Sequence, residues 1–147
     1  MLRYPLLHPP LLRALAATGH GSRVLIADAN YAHATNVAPG AELIHLNLRR
    51  GLVTVDDVLA PLLTAVPVES VTAMLPDDGN PPECWKGYEE LLGPDLPLRP
   101  VERFEFYRAG REPEVALCIA TGDDRLYANL LLTVGFLPAG GYCADSY

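Results

Sequence analysis

Five side chains in this 147-residue chain have types and settings suited to acid–base work on a small polar ligand. His20 stands between two glycines in ATGHGSRVLIAD, just ahead of an apolar run. An imidazole there can give and take a proton near neutral pH, while the glycines leave room for a ligand and permit a sharp bend. The same residues also suit an ordinary helix-to-strand turn. Asp28 closes RVLIAD, at what would be a strand's C-terminal end, and ligands of α/β sheets gather at such ends; an aspartate there can equally cap the next turn. Arg103 sits among aromatics in ERFEFYR, where a guanidinium fork can grip a polyhydroxylated or carboxylated ligand. The competing reading is an amphipathic helix with Phe104 and Tyr107 in the core and Arg103 and Arg108 in water. Tyr127 and Asn129, two apart at the start of a strand, would share one face, and a phenol beside an amide can hydrogen-bond hydroxyl groups or merely close a turn.

Other chemistries lack their signatures. A net charge of −7 and a pI near 4.9 argue against nucleic acid and against an anionic membrane surface, both of which need clustered cations. His20, Asp28, His33 and His45 lack H-x-x-x-H or similar spacing, so no metal is expected. GHGSRV precedes its strand and lacks a third glycine, which rules out a dinucleotide fingerprint. Counted from Asp78, a calcium loop would need glycine where Glu83 stands. Cys84, Cys118 and Cys143 are odd in number and without C-x-x-C spacing, so they form neither a disulfide framework nor a zinc site; Cys118, in VALCIAT, reads as core. Apolar runs such as LLLTVGFLPAGG are too short or too broken to span a bilayer. Pro5, His8, Pro9 and Pro10 interrupt what would be a signal peptide's apolar stretch, and a cytoplasmic location is expected.

The elements that must hold those five residues are legible from periodicity and caps. Pro9-Pro10 opens a short helix through LLRALAAT, with Gly19 as its C-terminal cap. RVLIAD is a buried strand and ELIHLNL a weaker one. Thr54-Val-Asp-Asp57 resembles a capping box for a helix over VDDVLAPLLTAV, which Pro61 should kink or end. SVTAML is strand-like, PDDGNPP a loop, and PECWKGYEELLG a helix capped by Gly93. VERFEFYRAG reads as a helix ending at Gly110, VALCIATG as a buried strand, and YANLLLTVGF as another strand after a tight TGDD turn. Strands alternating with helices imply a single α/β domain with a mostly parallel sheet covered by helices.

The ordered set of GHG, the strand ending in Asp28, RFEFYRA and IATGDDRLYANLLLTVG resembles the ribose pyranase and fucose mutarotase family over roughly residues 5 to 138. The resemblance implies an RbsD/FucU-like domain over 1–147, with 138–147 as a C-terminal extension. It implies anomeric interconversion of a free monosaccharide such as fucose or ribose, with no cofactor. His20 would be the proton donor, and Asp28, Arg103, Tyr127 and Asn129 would hold the sugar. It further implies a homo-oligomeric ring, commonly a decamer, with active sites near subunit boundaries. Arg103 in R-F-x-F-Y is similar to the fucose mutarotase branch, whereas YAN is closer to the pyranase ending. After Asp28 the fucose branch continues Ala-His-Phe-Pro-Ala-His; here ANYAH puts Asn30 at the first histidine and His33 one position early. The alternative is a sugar-binding accessory of a transport or regulatory system that kept the pocket without the catalysis.

Overall fold

The computed structural model describes residues 2–140; Cys143 and most of the 138–147 extension lie outside them. The chain runs α1 (Pro9–Ala16), β1 (Arg23–Ala27), β2 (Glu42–His45), α2 (Val55–Leu63), β3 (Val68–Leu75), α3 (Trp85–Leu92), β4 (Leu98–Glu102), α4 (Arg103–Gly110), β5 (Val115–Ala120) and β6 (Leu130–Val134). The strands form one sheet in the order β2-β5-β1-β6-β3-β4. β5 runs parallel to β1 and β2, and β4 runs parallel to β3; β6 alone is antiparallel to its neighbours, β1 and β3. The sheet is mostly parallel and covered on both faces, in keeping with its apolar central strands.

Strict alternation along the central strands sends side chains into two cores. Val24, Ile26, Leu117, Ile119, Leu130 and Leu132 meet α1, α2 and α3 on one face. Leu25, Ala27, Cys118 and Leu131 meet Phe106 of α4 and the loop after β1 on the other. Each fully buried aliphatic side chain contributes about 1.5–3 kcal/mol to this arrangement. Cys118 lies in the second core as expected, and burial pushes its thiol up to about 12.

Local chemistry sets the element ends. Thr54 and Asp57 make both bonds of a capping box: Asp57 N–H donates to Thr54 Oγ1 at 3.2 Å, and Thr54 N–H to Asp57 Oδ2 at 2.8 Å. Pro61 does not end α2 at its own position; the helix runs two residues further. α1 stops at Ala16, short of Gly19, and its N-cap is His8, whose Nδ1 accepts from Leu11 N–H at 3.3 Å.

Two boundaries differ from expectation. VERFEFYRAG is not one helix, because Leu98–Glu102 is a strand that hands over directly to α4. This strand hid because it lies on the sheet's edge, where exposed positions and Pro100 are tolerated. The final strand begins at Leu130 rather than Tyr127, which sits in the preceding loop with a left-handed φ of 60°.

Candidate functional site

The parallel strands share a direction, so the C-terminal ends of β1, β3, β4 and β5 and the start of β6 meet at one edge. The chain leaves β1 for β2 on one side and later crosses to β3 on the other, making a crevice of the kind α/β sheets use for ligands. A cavity of about 170 Å³ opens there, lined by Asp28, Asn30, Tyr31, Met74, Arg103, Tyr107, Leu126, Tyr127 and Asn129. A space of this size suits a small ligand.

Asp28, only 2 % exposed, is the fixed centre. Its Oδ1 accepts from Asn30 N–H at 2.9 Å. Its Oδ2 accepts from Asn129 Nδ2 at 2.8 Å and from Ala128 N–H at 3.2 Å. Asn129 returns the contact, since its Oδ1 accepts from Asp28 N–H at 2.8 Å. That reciprocal pair leaves one orientation for the amide. Among the described residues the carboxylate has neutral donors but no cation, and burial raises its pKa above the ordinary value despite three hydrogen bonds that lower it. Nδ2 of Asn129 also faces Met74 Sδ at 3.7 Å, so this amide is largely spent on holding Asp28.

Around that centre stand a cation, phenols and apolar walls. Arg103, the first residue of α4, borders the cavity, its Nη2 donating to Asp77 Oδ2 at 3.2 Å. The amphipathic alternative holds in part: Tyr107 packs against the second core while also lining the cavity, and Arg108 is exposed, but Phe106 rather than Phe104 enters the core. Tyr127 reaches the same space from its left-handed position. Tyr31 is buried edge-on against Phe106 and Tyr107 and donates to Asn36 O at 2.7 Å; burial pushes its phenol upward, so it stays a neutral donor. Tyr31, Met74, Tyr107 and Leu126 were not foreseen. Met74 had a readable signal, since it stands at the C-terminal end of a strand parallel to β1.

His20 is elsewhere in the chain. It precedes β1 whereas Asp28 follows it, so the length of the strand, about 16 Å, separates them. Its Nε2 lies 3.1 Å from Glu69 Oε2, and its ring packs edge-on against Phe136. The imidazole is more than half exposed, beside exposed Phe136 and Leu137. His33 is half-buried under the loop after β1; burial, with a smaller effect from His45, lowers its pKa.

The TGDD segment braces the cavity from behind. Thr121 Oγ1 donates to Ala27 O at 2.8 Å, and Ala29 N–H donates to Asp123 O at 2.8 Å. Asp123, 1 % exposed, accepts from Arg125 Nε at 2.9 Å and from Val55 N–H at 2.9 Å. Arg125 also pairs with Asp56, tying α2 to the loop that carries Tyr127. Gly122 is required, because a Cβ there would strike the carbonyls of Arg49 and Leu52.

Residues 1–137 match the RbsD/FucU transport protein family. Among curated relatives, a fucose mutarotase of Danio rerio is 32 % identical, covering 93 % of this chain and 94 % of that one. A D-ribose pyranase of Paracidovorax citrulli (strain AAC00-1) is 34 % identical, covering 92 % and 98 %. Among solved structures, Bacillus subtilis RbsD complexed with D-ribose superposes with a TM-score of 0.80 at 29 % identity, covering 94 % of this chain and all (100 %) of that one. The fucose mutarotase of Streptococcus pneumoniae in complex with L-fucose gives 0.77 at 26 %, covering 94 % and 100 %.

Proposed function

The chain belongs to the RbsD/FucU family, and on that footing we propose that it binds a free monosaccharide at the edge cavity and interconverts its anomers. It is an isomerase of the sugar mutarotase type. The observation that carries the reading is convergence: Asp28, Arg103, Tyr127 and Asn129, spread over a hundred positions, border one small cavity. Asp28 and Arg103 suit sugar hydroxyls, one as an acceptor and the other as a donor; Tyr127 can do either, and Met74 and Leu126 suit the apolar edges of the ring.

Anomerisation needs one proton removed and one supplied. The anomeric hydroxyl loses its proton, the ring C–O bond breaks with its electron pair passing to the ring oxygen, and that oxygen is protonated. The open carbonyl form turns about its C1–C2 bond, and reclosure on the other face reverses each transfer. A group able to act in both directions near neutral pH is an imidazole. In our reading His20 supplies it to the cavity of a neighbouring copy in a homo-oligomeric ring. Its exposed ring, set in an apolar patch with Phe136 and Leu137, suits contact with another copy. No helix of the described residues is long and apolar enough to cross a membrane, and the free thiols of Cys84 and Cys118 fit a cytoplasmic setting.

Exchange or saturation-transfer NMR on fucose, ribose and related sugars tests this directly. Acceleration is expected for at least one sugar and is lost in His20→Ala. Co-assembly of His20→Ala with Asp28→Asn should restore part of it, since one mixed boundary regains both intact residues. Full activity in His20→Ala sinks the assignment of the proton donor. The distance between His20 and the cavity within one chain favours a second reading, a binding accessory without catalysis. Saturable binding with an unchanged anomerisation rate would establish that reading instead.

A further inference from the structure

We propose that Asp77 is a positioning residue of the sugar site: its carboxylate sets the orientation of the Arg103 guanidinium at the cavity. The inference rests on the reading that Arg103 meets the sugar. β3 and β4 are parallel neighbours in a register that pairs Leu75 with Glu102. Asp77 and Arg103 therefore leave the sheet side by side just beyond those ends, although 26 positions apart in the chain. Nη2 of Arg103 donates to Asp77 Oδ2 at 3.2 Å, and the guanidinium carbon sits 4.7 Å from the centre of the exposed Phe104 ring.

Two carboxylates adjacent in sequence to the pair are otherwise engaged. Glu102 accepts from the N–H groups of Phe104 and Glu105 at 2.9 and 2.6 Å, capping α4. Asp78 Oδ1 accepts from Asn80 N–H at 2.9 Å. Among the described residues, Asp77 alone makes an ion pair with Arg103.

The side chain also has a reason to turn away. Its Nε is shut off from solvent with no hydrogen-bond partner. A buried donor left unpaired is unfavourable, so rotation toward water would relieve it. The charge of Asp77 opposes that rotation and keeps the fork at the cavity. A surface ion pair is a weak contributor to stability, but here the Arg partner is only 35 % exposed and borders the cavity. Its effect belongs in sugar recognition rather than in the melting temperature.

The test uses the full-length protein and its variants Asp77→Asn, Asp77→Glu, Arg103→Ala and Asp77→Asn/Arg103→Ala. On the sugar that the wild type accelerates, Asp77→Asn should raise KM about five- to tenfold with kcat changed much less, the scale of coupling between contacting residues. Asp77→Glu should recover most of the loss, and Asp77→Asn should have no further effect on Arg103→Ala. The Nε–Hε NMR signal of Arg103, assigned by its absence in Arg103→Ala, should shift or broaden in Asp77→Asn. An unchanged signal, or an equal KM increase in the Arg103→Ala background, overturns the proposal. If the signal responds but the wild type accelerates no sugar, the positioning stands and the proposed function fails.

Discussion

Two aspartates at the same edge of the sheet are equally hidden and oppositely tuned. Asp28 is 2 % exposed and Asp123 1 %, yet the pKa of the first is raised and that of the second lowered. Burial is the largest influence on both and pushes both upward. Asp28 lies deeper among protein atoms, and the neighbours also differ. Among the described residues Asp28 has only neutral N–H donors, whereas at Asp123 the Arg125 guanidinium and the backbone donors outweigh the burial. A buried carboxylate with a resident cation is a brace. One without a cation holds unmet acceptor capacity, which a sugar hydroxyl or a donor from another copy can use.

The largest expected effect separates these roles through activity. Asp28→Asn removes the charge while keeping the size, and kcat/KM should fall on the order of a hundredfold, the scale of losing one partner of a buried charged hydrogen bond. The melting temperature should move by less than about 5 °C, because lost acceptor bonds are offset by relief of an uncompensated buried charge. Wild-type turnover by Asp28→Asn would remove Asp28 from the site.

The next effect tests the brace through stability. Arg125→Met leaves Asp123 buried with its backbone donors but no counter-charge, which should cost about 3 kcal/mol. For a domain of this size the melting point should drop about 6–12 °C. Adding Asp123→Asn should recover part of the loss, since an amide needs no cation. Equal melting points for wild type and Arg125→Met in a calorimeter would contradict the distinction.

A smaller effect follows from the signs of the two shifts. Asp123 is lowered from 3.8, so its contribution to stability is fully present above that value and lost as pH falls through the lower folded pKa. Asp28 is raised from 3.8, so the folded state binds a proton more readily than the unfolded chain does. Its contribution is therefore greatest below 3.8 and is lost as pH rises through the raised value. Urea unfolding between about pH 3 and 7 should show wild type losing its advantage over Asp123→Asn on acidification, and gaining against Asp28→Asn. Parallel profiles for the two variants would contradict the opposite shifts.

How much of this was legible in the residues follows from the range of each interaction. The capping box at Thr54 is a four-residue matter and appears in the structure with both bonds. The apolar runs around Ile26 and Ile119 named their strands, because a strand buried on both faces needs no partner to be recognised. β4 was missed because an edge strand follows from pairing rather than from its own composition, and missing it hid Arg103's place at a strand's end. Arg103, Tyr127 and Asn129 were legible as groups able to bind hydroxyls, and Asp28 as a carboxylate at a strand's C-terminal end. Their meeting depends on the crossing from β2 to β3, and no local pattern encodes that crossing. Local pattern says nothing either about His20, whose position before β1 puts it at the far edge of its own sheet.

The smallest expected effect sets the limit of the comparison. Asp124, the next residue after Asp123, is exposed and pairs with Arg50, Nε to Oδ2 at 3.0 Å. Its charge and residue type match those of Asp123, so any rule based on carboxylate–arginine pairs alone would give the two equal weight. Water already solvates both partners of the Arg50 pair, and holding two long side chains costs rotamer freedom; such pairs contribute about 0–1 kcal/mol. Arg50→Ala should accordingly shift the melting point by no more than about 4 °C, a third or less of the effect of Arg125→Met. Raising the salt concentration should shrink even that difference, while the penalty of Arg125→Met, whose partner is shielded from solvent, should persist. Similar losses from the two substitutions would mean that burial of the carboxylate is not what separates a brace from a surface contact.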